Sequence, residues 1–248
     1  MNKLKPETQL PQTTVMPSAY ILSDQISLYG ERDCIGFGNK DFYIKEMPKK
    51  ISNKMIIENH YSKKVAGFAT TYIYLGVYEK DKLLGTLQYG FMMNPAAAKN
   101  IVEGTGIYEH LELNRMWLSD EIEIKYPESR AISYSIKYIK RKFPKIKWIQ
   151  SFADERCGGF GIVYQACSFD FYGEHTSEFY SLDGEYVHKI ALTHHADTRP
   201  LYQKIRARKD ELQKESLRQF RYIKFLNQKY KKKCLLEQKP YIKHYAEH

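Results

Sequence analysis

Cysteine is scarce and unpaired in this sequence. Four cysteines, at positions 34, 157, 167 and 234, are spread over 248 residues with no CxxC spacing. That pattern argues against a disulfide framework and a Cys-rich zinc site, and it fits a reducing compartment. No run of about 18 apolar residues occurs, so no membrane-spanning helix is expected. The N-terminus lacks a basic-then-apolar pattern, and no signal peptide is read there. These absences together point to a cytoplasmic protein. No internal repeat is found. His188, His194 and His195 make an HxxxxxHH pattern, which reads as a polar turn, and no metal ligand is assigned from it.

Charge is plentiful and unevenly placed. The formal net charge is +10, and residues 199–233 hold thirteen Lys/Arg against three Asp/Glu, so the rest of the chain is neutral. A neutral body with one basic element fits a polyanionic partner, with double-stranded DNA first. Arg206, Arg208, Arg218, Arg221 and Lys224 are the candidate DNA contacts. The guanidinium fork suits phosphate; a solvated helix face is the alternative.

The periodicities give a coarse element order. Residues 1–20 are polar and read as loosely ordered. Gly36 and Gly38 mark a turn. Residues 51–65 read as a helix or helix-loop with Ser52 as its cap. Residues 71–78 and 83–92 form a hairpin with a four-residue loop, Glu79 to Lys82. A short helical turn falls in 93–106, and 107–118 is a strand whose period of two puts Leu111, Leu113, Arg115 and Trp117 on one face. Ser129 caps a helix over 130–142 with Ile132, Ile136, Ile139 and Phe143 as its apolar stripe, and Pro144 stops it. A strand at 147–153, following a helix, is expected parallel to its predecessor. Gly158, Gly159 and Gly161 lead into a short helix. Antiparallel strands at 168–173, 177–182 and 186–192 turn at Gly173 and at Asp183-Gly184. A long amphipathic helix over 199–233 closes the chain. The fold class is α+β (mixed α/β), with a mostly antiparallel twisted central sheet flanked by helices and a long basic C-terminal helix. A catalytic domain spans 21–198, and the 199–248 helix and tail pack on it.

The segment 111–173 concentrates polar groups at strand ends beside glycine-rich turns, a common way to build an active site. Its order of elements resembles the acyltransferase fold of the GNAT superfamily. The phrases ELNRMWLSD, ESRAIS, SFADERCGGFGIVYQACSFDFYG and QFRYIKFL together resemble the Mom family of bacteriophage DNA-modification proteins, over about residues 55–230. The resemblance implies a GNAT-like transferase that places a methylcarbamoyl (carbamoylmethyl) group on N6 of adenine in phage DNA, blocking host restriction enzymes. It also implies that Arg115 of ELNR, Ser129 of ESR, Asp154 of SFAD, Tyr164 of YQA and the pair His60-Tyr61 are needed for activity. Ser133, Ser151, Gly158, Gly159 and Gly161 are the candidate donor-binding residues.

Chemistry assigns the roles. Adenine N6 is a poor nucleophile, so transfer to it needs a base or strong acceptor and a stabiliser of charge on the donor. Asp154 is the candidate acceptor or base, with an N-cap as its structural alternative. Tyr164 serves as a general acid or as a stacking surface for a flipped base. Arg115 inside an apolar strand needs an anionic partner: Asp154, Asp120 or a substrate phosphate. Ser129 is first a helix cap, and becomes an anion site if that helix end faces the donor. The stretch between Leu118 and Ser129 has no glycine and carries Asp120, Glu121 and Glu123, which places acyl-CoA use in doubt. The donor is acetyl-CoA or another glycine-like species, with an iron or other metal helper conceivable. Two further readings stand beside the first: an acyltransferase acting on a protein or small-molecule amine, and a non-catalytic DNA-binding protein.

Overall fold

A computed structural model describes residues 20–22, 34–62, 64, 71–157, 159–183, 185–188 and 200–242. Ten strands form one sheet: β1 (Tyr20–Leu22), β2 (Gly36–Gly38), β3 (Phe42–Glu46), β4 (Thr71–Glu79), β5 (Lys82–Gly90), β6 (His110–Leu118), β7 (Trp148–Asp154), β8 (Asp170–Leu182), β9 (Glu185–His188) and β10 (Gln213–Phe225). Their spatial order is β1-β2-β3-β4-β5-β6-β7-β10-β8-β9. Every neighbouring pair is antiparallel except β6 and β7. The helices are α1 (Lys49–Asn59), α2 (Pro127–Lys142), α3 (Ile162–Ala166), α4 (Pro200–Ala207) and α5 (Gln228–Lys231). The α+β class and the mostly antiparallel sheet are as expected.

Alternation sorts the side chains onto two faces. Leu87, Tyr89, Leu111, Leu113, Ile149, Phe220 and Tyr222 are buried in the main core, under α2. Tyr89 reaches Ser135 of α2 with its hydroxyl at 2.5 Å. The alternate residues of β5, Thr86 and Gln88, face α1 instead: Ser52 Oγ lies 2.7 Å from Thr86 Oγ1, and Gln88 Nε2 donates to Ser52 Oγ at 2.9 Å. Ser52 is therefore an interior anchor of α1; Pro48 holds the N-cap position. Similarly, α2 opens on Pro127, whose fixed φ suits the first helical position, and Tyr126 takes the N-cap in a left-handed conformation. Ser129 lies inside the first turn, where its hydroxyl donates to the Tyr126 carbonyl at 3.1 Å. The stripe Ile132, Ile136 and Ile139 is buried as the spacing predicts.

Several expected elements differ. The β4–β5 loop is tighter than four residues: Glu79 pairs with Lys82, and only Lys80 and Asp81 turn, with φ of 48° and 64°. Positive φ at both central residues suits a two-residue hairpin turn whose twist matches its strands. Gly36 and Gly38 lie in β2 rather than a turn, and a Cβ on Gly36 would fall 2.2 Å from the Ile44 carbonyl oxygen. Residues 170–182 form one strand; Gly173, at φ 84°, sits at a bulge opposite Arg221 instead of ending a strand. Of the expected strand 186–192, only the part to His188 is among the described residues.

The largest correction concerns the C-terminal segment. There is no long helix over 199–233. After α4 and a 3-10 turn at Lys209–Glu211 the chain becomes β10, inserted between β7 and β8. The stretch Gln219-Phe220-Arg221-Tyr222-Ile223-Lys224-Phe225 is rich in aromatic and branched residues that favour a pleated surface. Both faces of it are buried, through Phe220 and Tyr222 on one side and Ile223 and Phe225 on the other. A residue set buried on two sides mimics a helical stripe when read in one dimension.

Candidate functional site

The site grows from the one parallel pair. The β6 and β7 ladder runs only from His110↔Trp148 to Glu112↔Gln150, although both strands continue for several residues. Where pairing ends, a bulge interrupts β6: Gln88 pairs with Arg115, but Tyr89 pairs with Leu113, leaving Asn114 extra. A bulge re-aims side chains. This one moves Arg115 and Trp117 to the face of Gln88 and α1, away from Leu111 and Leu113, and the expectation of a shared face fails for that reason.

Arg115 is held by carbonyls. Its Nε donates to Lys64 O at 3.0 Å and its Nη1 to Asn114 O at 2.6 Å. It forms no ion pair with Asp154 or Asp120. Asp154, at the end of β7, is bound instead by a residue the sequence reading overlooked. The backbone N–H of Arg156 donates to Asp154 Oδ1 at 3.0 Å, and the Arg156 guanidinium grips both carboxylate oxygens. Tyr61 donates its hydroxyl to Asp154 Oδ2 at 3.4 Å. Burial pushes the Asp154 carboxyl up, but the Arg156 hydrogen bonds and charge outweigh it, and the group ends below the ordinary aspartate value. Asp154 is thus a fixed anion and hydrogen-bond acceptor. It does not cap α3, whose N-cap is Gly161.

His60 and Tyr61 follow α1 directly. His60 is buried, its Nδ1 accepts the Ser62 N–H at 3.1 Å, and its ring lies 4.2 Å from that of Tyr61. The assigned hydrogen bonding puts its proton on Nε2. Burial, then the nearby Arg115 and Arg156 charges, lower it to about 4, so the imidazole is neutral. Tyr61 is 53% exposed as a residue while its hydroxyl points inward at Asp154; burial and the Asp154 charge hold its proton on. The Arg156 guanidinium stacks over Phe179 at 4.5 Å and Tyr61 at 5.5 Å.

A second carboxylate was also overlooked, although it stands inside the ELNR phrase. Glu112 shares this face, where Gln150 Nε2 donates to its Oε2 at 2.6 Å and Asn114 Nδ2 to its Oε1 at 3.3 Å. Burial pushes its carboxyl up, against the opposing effect of those amides and of Arg115 and Arg221. Two carboxylates on one face therefore have proton affinities driven in opposite directions, a pattern that separates acid-base groups from fixed charges.

Tyr164 does not join them. It lies on the α2 face, its ring 5.6 Å from Phe169 and 5.4 Å from Tyr222. Burial holds its phenol up at about 12, with Ser151 as its hydrogen-bond partner. No hydrogen bond joins Tyr164 to Asp154, and the base and general acid that the sequence suggests do not meet. Ser151 itself is buried and reaches the Leu113 carbonyl at 3.5 Å, bridging the strands where their ladder ends. Gly161 is required by packing: at φ 83°, a Cβ there would meet the Tyr222 ring at 2.4 Å. Gly159 faces open space, and Gly158 lies outside the described residues. Ser133 contacts Cys167 Sγ at 3.8 Å and the Ser129 carbonyl accepts from that thiol at 3.3 Å, so this pair ties α2 to the end of α3.

The five expected DNA contacts do not share a surface stripe. Arg218 and Lys224 fall on the Phe220 face of β10 and Arg221 on the other. Arg218 pairs with Glu155 at 2.7 Å, and Arg208 with Asp183 at 2.7 Å and with Glu211. Lys224 donates to the Cys167 and Ser168 carbonyls. Arg206 lies on α4. Arg221 is different: it donates to Gln150 Oε1 at 3.3 Å and stacks on Phe152 at 4.9 Å, with no carboxylate ion pair among the described residues. It lines a cavity of about 360 Å³ with Met92, Ile101, Tyr172, His175 and Leu236.

The loop from β6 to α2 does not suit a pyrophosphate. Glu79 takes the Glu123 and Ile124 amides at 3.0 and 2.9 Å, while Glu123 pairs with Lys80 and Glu121 with Lys82. A protein carboxylate already occupies the amides that would cradle an anion. Among the described residues no group of three or more His, Cys, Asp or Glu is placed to hold a metal, and His194 and His195 lie outside them. Among those residues, too, no helix is long and apolar enough to cross a membrane.

Comparison with known proteins adds three findings. The profile of the Mom protein family matches residues 41–243. The methylcarbamoylase mom of Escherichia phage Mu is 38% identical over 228 residues, covering 90% of this chain and 92% of that protein. Among solved structures, the ribosomal-protein-S5-alanine acetyltransferase of Vibrio fischeri aligns with a TM-score of 0.47 and 13% identity, over 79% of this chain and 98% of its own. A probable GNAT-family acetyltransferase of Chromobacterium violaceum aligns at 0.45 and 9%, over 91% and 97%.

Proposed function

From the premise that this chain belongs to the Mom protein family, we propose that it is a transferase placing a methylcarbamoyl group on N6 of adenine in DNA. The named activity of the phage Mu relative supports the group transferred. The observation that carries the reading is the gathering of His60, Tyr61, Arg115 and Asp154, all implied by the family resemblance, on one face where β6 and β7 part. In double-stranded phage DNA such a group would mask N6, a major-groove donor that restriction enzymes read beside N7. The protein would act in the cytoplasm of the bacterial host during phage infection.

The division of labour follows from the electrostatics. The amino group of adenine must lose a proton as its new bond forms. Asp154, clamped by Arg156, is a poor base and a good anchor for an N–H donor or for the Tyr61 hydroxyl. Glu112 has the higher proton affinity and is the better acceptor. Arg115 carries its charge into the site with no carboxylate ion pair among the described residues, and so stabilises negative charge on the donor. Tyr164 acts from the opposite face by fixing Ser151 at the parting of the strands.

The test is nucleoside mass spectrometry of DNA from bacteria expressing the chain. Modified deoxyadenosine carrying the methylcarbamoyl mass is expected with the wild type and not with Arg115→Ala. Unmodified DNA with the well-folded wild type would refute the reading.

A further inference from the structure

Three aromatic side chains stand together outside the core, on segments that reach Asn114. Tyr72 is 41% exposed and Tyr108 71% exposed. Phe91 joins them, its ring 5.0 Å from Tyr72 and 5.7 Å from Tyr108. The row leads into the network around Glu112. The Phe91 carbonyl accepts from Asn114 Nδ2 at 3.2 Å, and Thr71 Oγ1 donates to Asn114 Oδ1 at 3.1 Å. The same Asn114 amide donates to Glu112. Across the ladder Glu112 faces Gly90, the residue before Phe91, which presents no side chain. Arg115 and Arg221 flank the carboxyl electrostatically, and among the described residues neither is consumed by a carboxylate ion pair.

We propose that Tyr72, Phe91 and Tyr108 form a stacking platform for one extrahelical nucleobase, with Glu112 at its inner end accepting from the exocyclic amino group. This rests on the reading of DNA as substrate. An aliphatic patch would fit any apolar partner. A row of rings favours a flat π surface, an acceptor beyond it favours a ligand with N–H donors, and two flanking guanidiniums favour a ligand tethered to phosphate. A nucleobase of a DNA strand has all three properties. Within the duplex its amino group is paired and its faces are stacked, so it must leave the helix to react. Ring stacking on this row offsets part of that cost and accepts every base, because each has a π face. The choice of an amino-bearing base then falls to Glu112.

The full-length protein is titrated against two labelled duplexes, one fully paired and one with a single adenine opposite an abasic site. The wild type is expected to prefer the second. Tyr108→Ala should reduce that preference roughly tenfold, Tyr108→Phe should keep it, and neither should change affinity for the paired duplex. Tyr108 is exposed enough that its truncation spares the fold, which a thermal melt checks. Replacing the unpaired adenine by purine, which lacks the amino group, should weaken the wild type but not Glu112→Met, which has no such acceptor. DNA binding with the same preference in wild type and Tyr108→Ala, or with no preference in the wild type, overturns the platform and leaves the DNA reading standing. An equal loss on both duplexes in Tyr108→Ala also overturns it, making that residue a general contact. An equal purine effect in wild type and Glu112→Met removes Glu112 from the site. Failure of the wild type to bind either duplex ends both readings.

Discussion

The two faces of the sheet share one backbone and differ in almost everything else. Toward α2, the strands β5, β6, β7 and β10 present Leu87, Tyr89, Leu111, Leu113, Ile149, Phe220 and Tyr222, each buried. Toward α1, the same strands present Gln88, Arg115, Glu112, Gln150, Asp154 and Arg221, each hydrogen-bonded through its side chain, beside a smaller apolar cluster of Trp148, Ile223 and Phe225. Burial on the first face is apolar and drives folding. Burial on the second costs stability unless every polar group finds a partner. A protein keeps such a face when the groups on it are used. The contrast sets a largely apolar side against a largely polar one that carries the proposed chemistry, and it can be attacked from either.

The largest effect belongs to the apolar face. Phe220 is fully buried, with Phe160 at 5.3 Å and Phe171 at 6.4 Å. Phe220→Ala should cost about 3–5 kcal/mol in urea unfolding. If β10 were the outer helix its charge suggests, the same truncation would cost far less, so the measurement also tests the strand assignment.

Next comes the clamp on the polar face. Asp154→Asn leaves the Arg156 guanidinium without its counter-ion, and roughly 1–3 kcal/mol should be lost, below the range for a fully buried pair because Arg156 is partly exposed. The pH dependence has a definite sign. The folded carboxyl lies below its unfolded value, so its contribution is present above about pH 4 and disappears as pH falls through the folded value. The acid limb of a stability profile should flatten in Asp154→Asn.

Glu112 sharpens the comparison, because its dependence runs the other way. Its folded carboxyl lies above the unfolded value. Whatever it contributes is fully present below about pH 4 and is lost as pH rises through the folded value. Glu112→Gln should therefore remove a loss of stability that the wild type shows toward neutral pH, while sharply reducing the proposed adenine modification. A variant that is unchanged in activity would break the assignment of chemistry to this face.

Much of this was legible in the sequence, and the failures share a cause. Period two located β4, β5 and the two inward leucines of β6, and the isoleucine stripe located α2. The parallel pairing of β7 followed from the intervening helix. What one-dimensional periodicity misses is a single-residue insertion in a strand. Asn114 reverses the facing of Arg115, and so decides that the arginine joins Asp154's neighbourhood without pairing with it. It also misses a strand buried on both sides: the two cores that β10 enters together imitate a helical stripe. The place of Asp154 at a strand end is legible in the sequence. Its clamp, Arg156, and the second carboxylate, Glu112, lay inside the same phrases, and only the fold shows which partners each one has.

The smallest effect is expected at His60, and it separates chemistry from support on the polar face. The ring is buried, and its folded value of about 4 leaves it uncharged throughout the neutral range. Because the folded value lies below the unfolded one, protonation favours unfolding: stability falls as pH drops from about 6.5 toward the folded value, and is flat above. A catalytic histidine that cycled its proton would instead put a limb near neutrality into the pH profile of modification. His60→Gln keeps an acceptor near the Ser62 N–H, so stability should change by less than about 1 kcal/mol. If His60 only positions Tyr61 against Asp154, the profile should keep its shape while the rate falls severalfold. If instead a limb near pH 6.5 disappears with the substitution, His60 titrates in the reaction, and the neutral, supporting ring described by the structure is the wrong one.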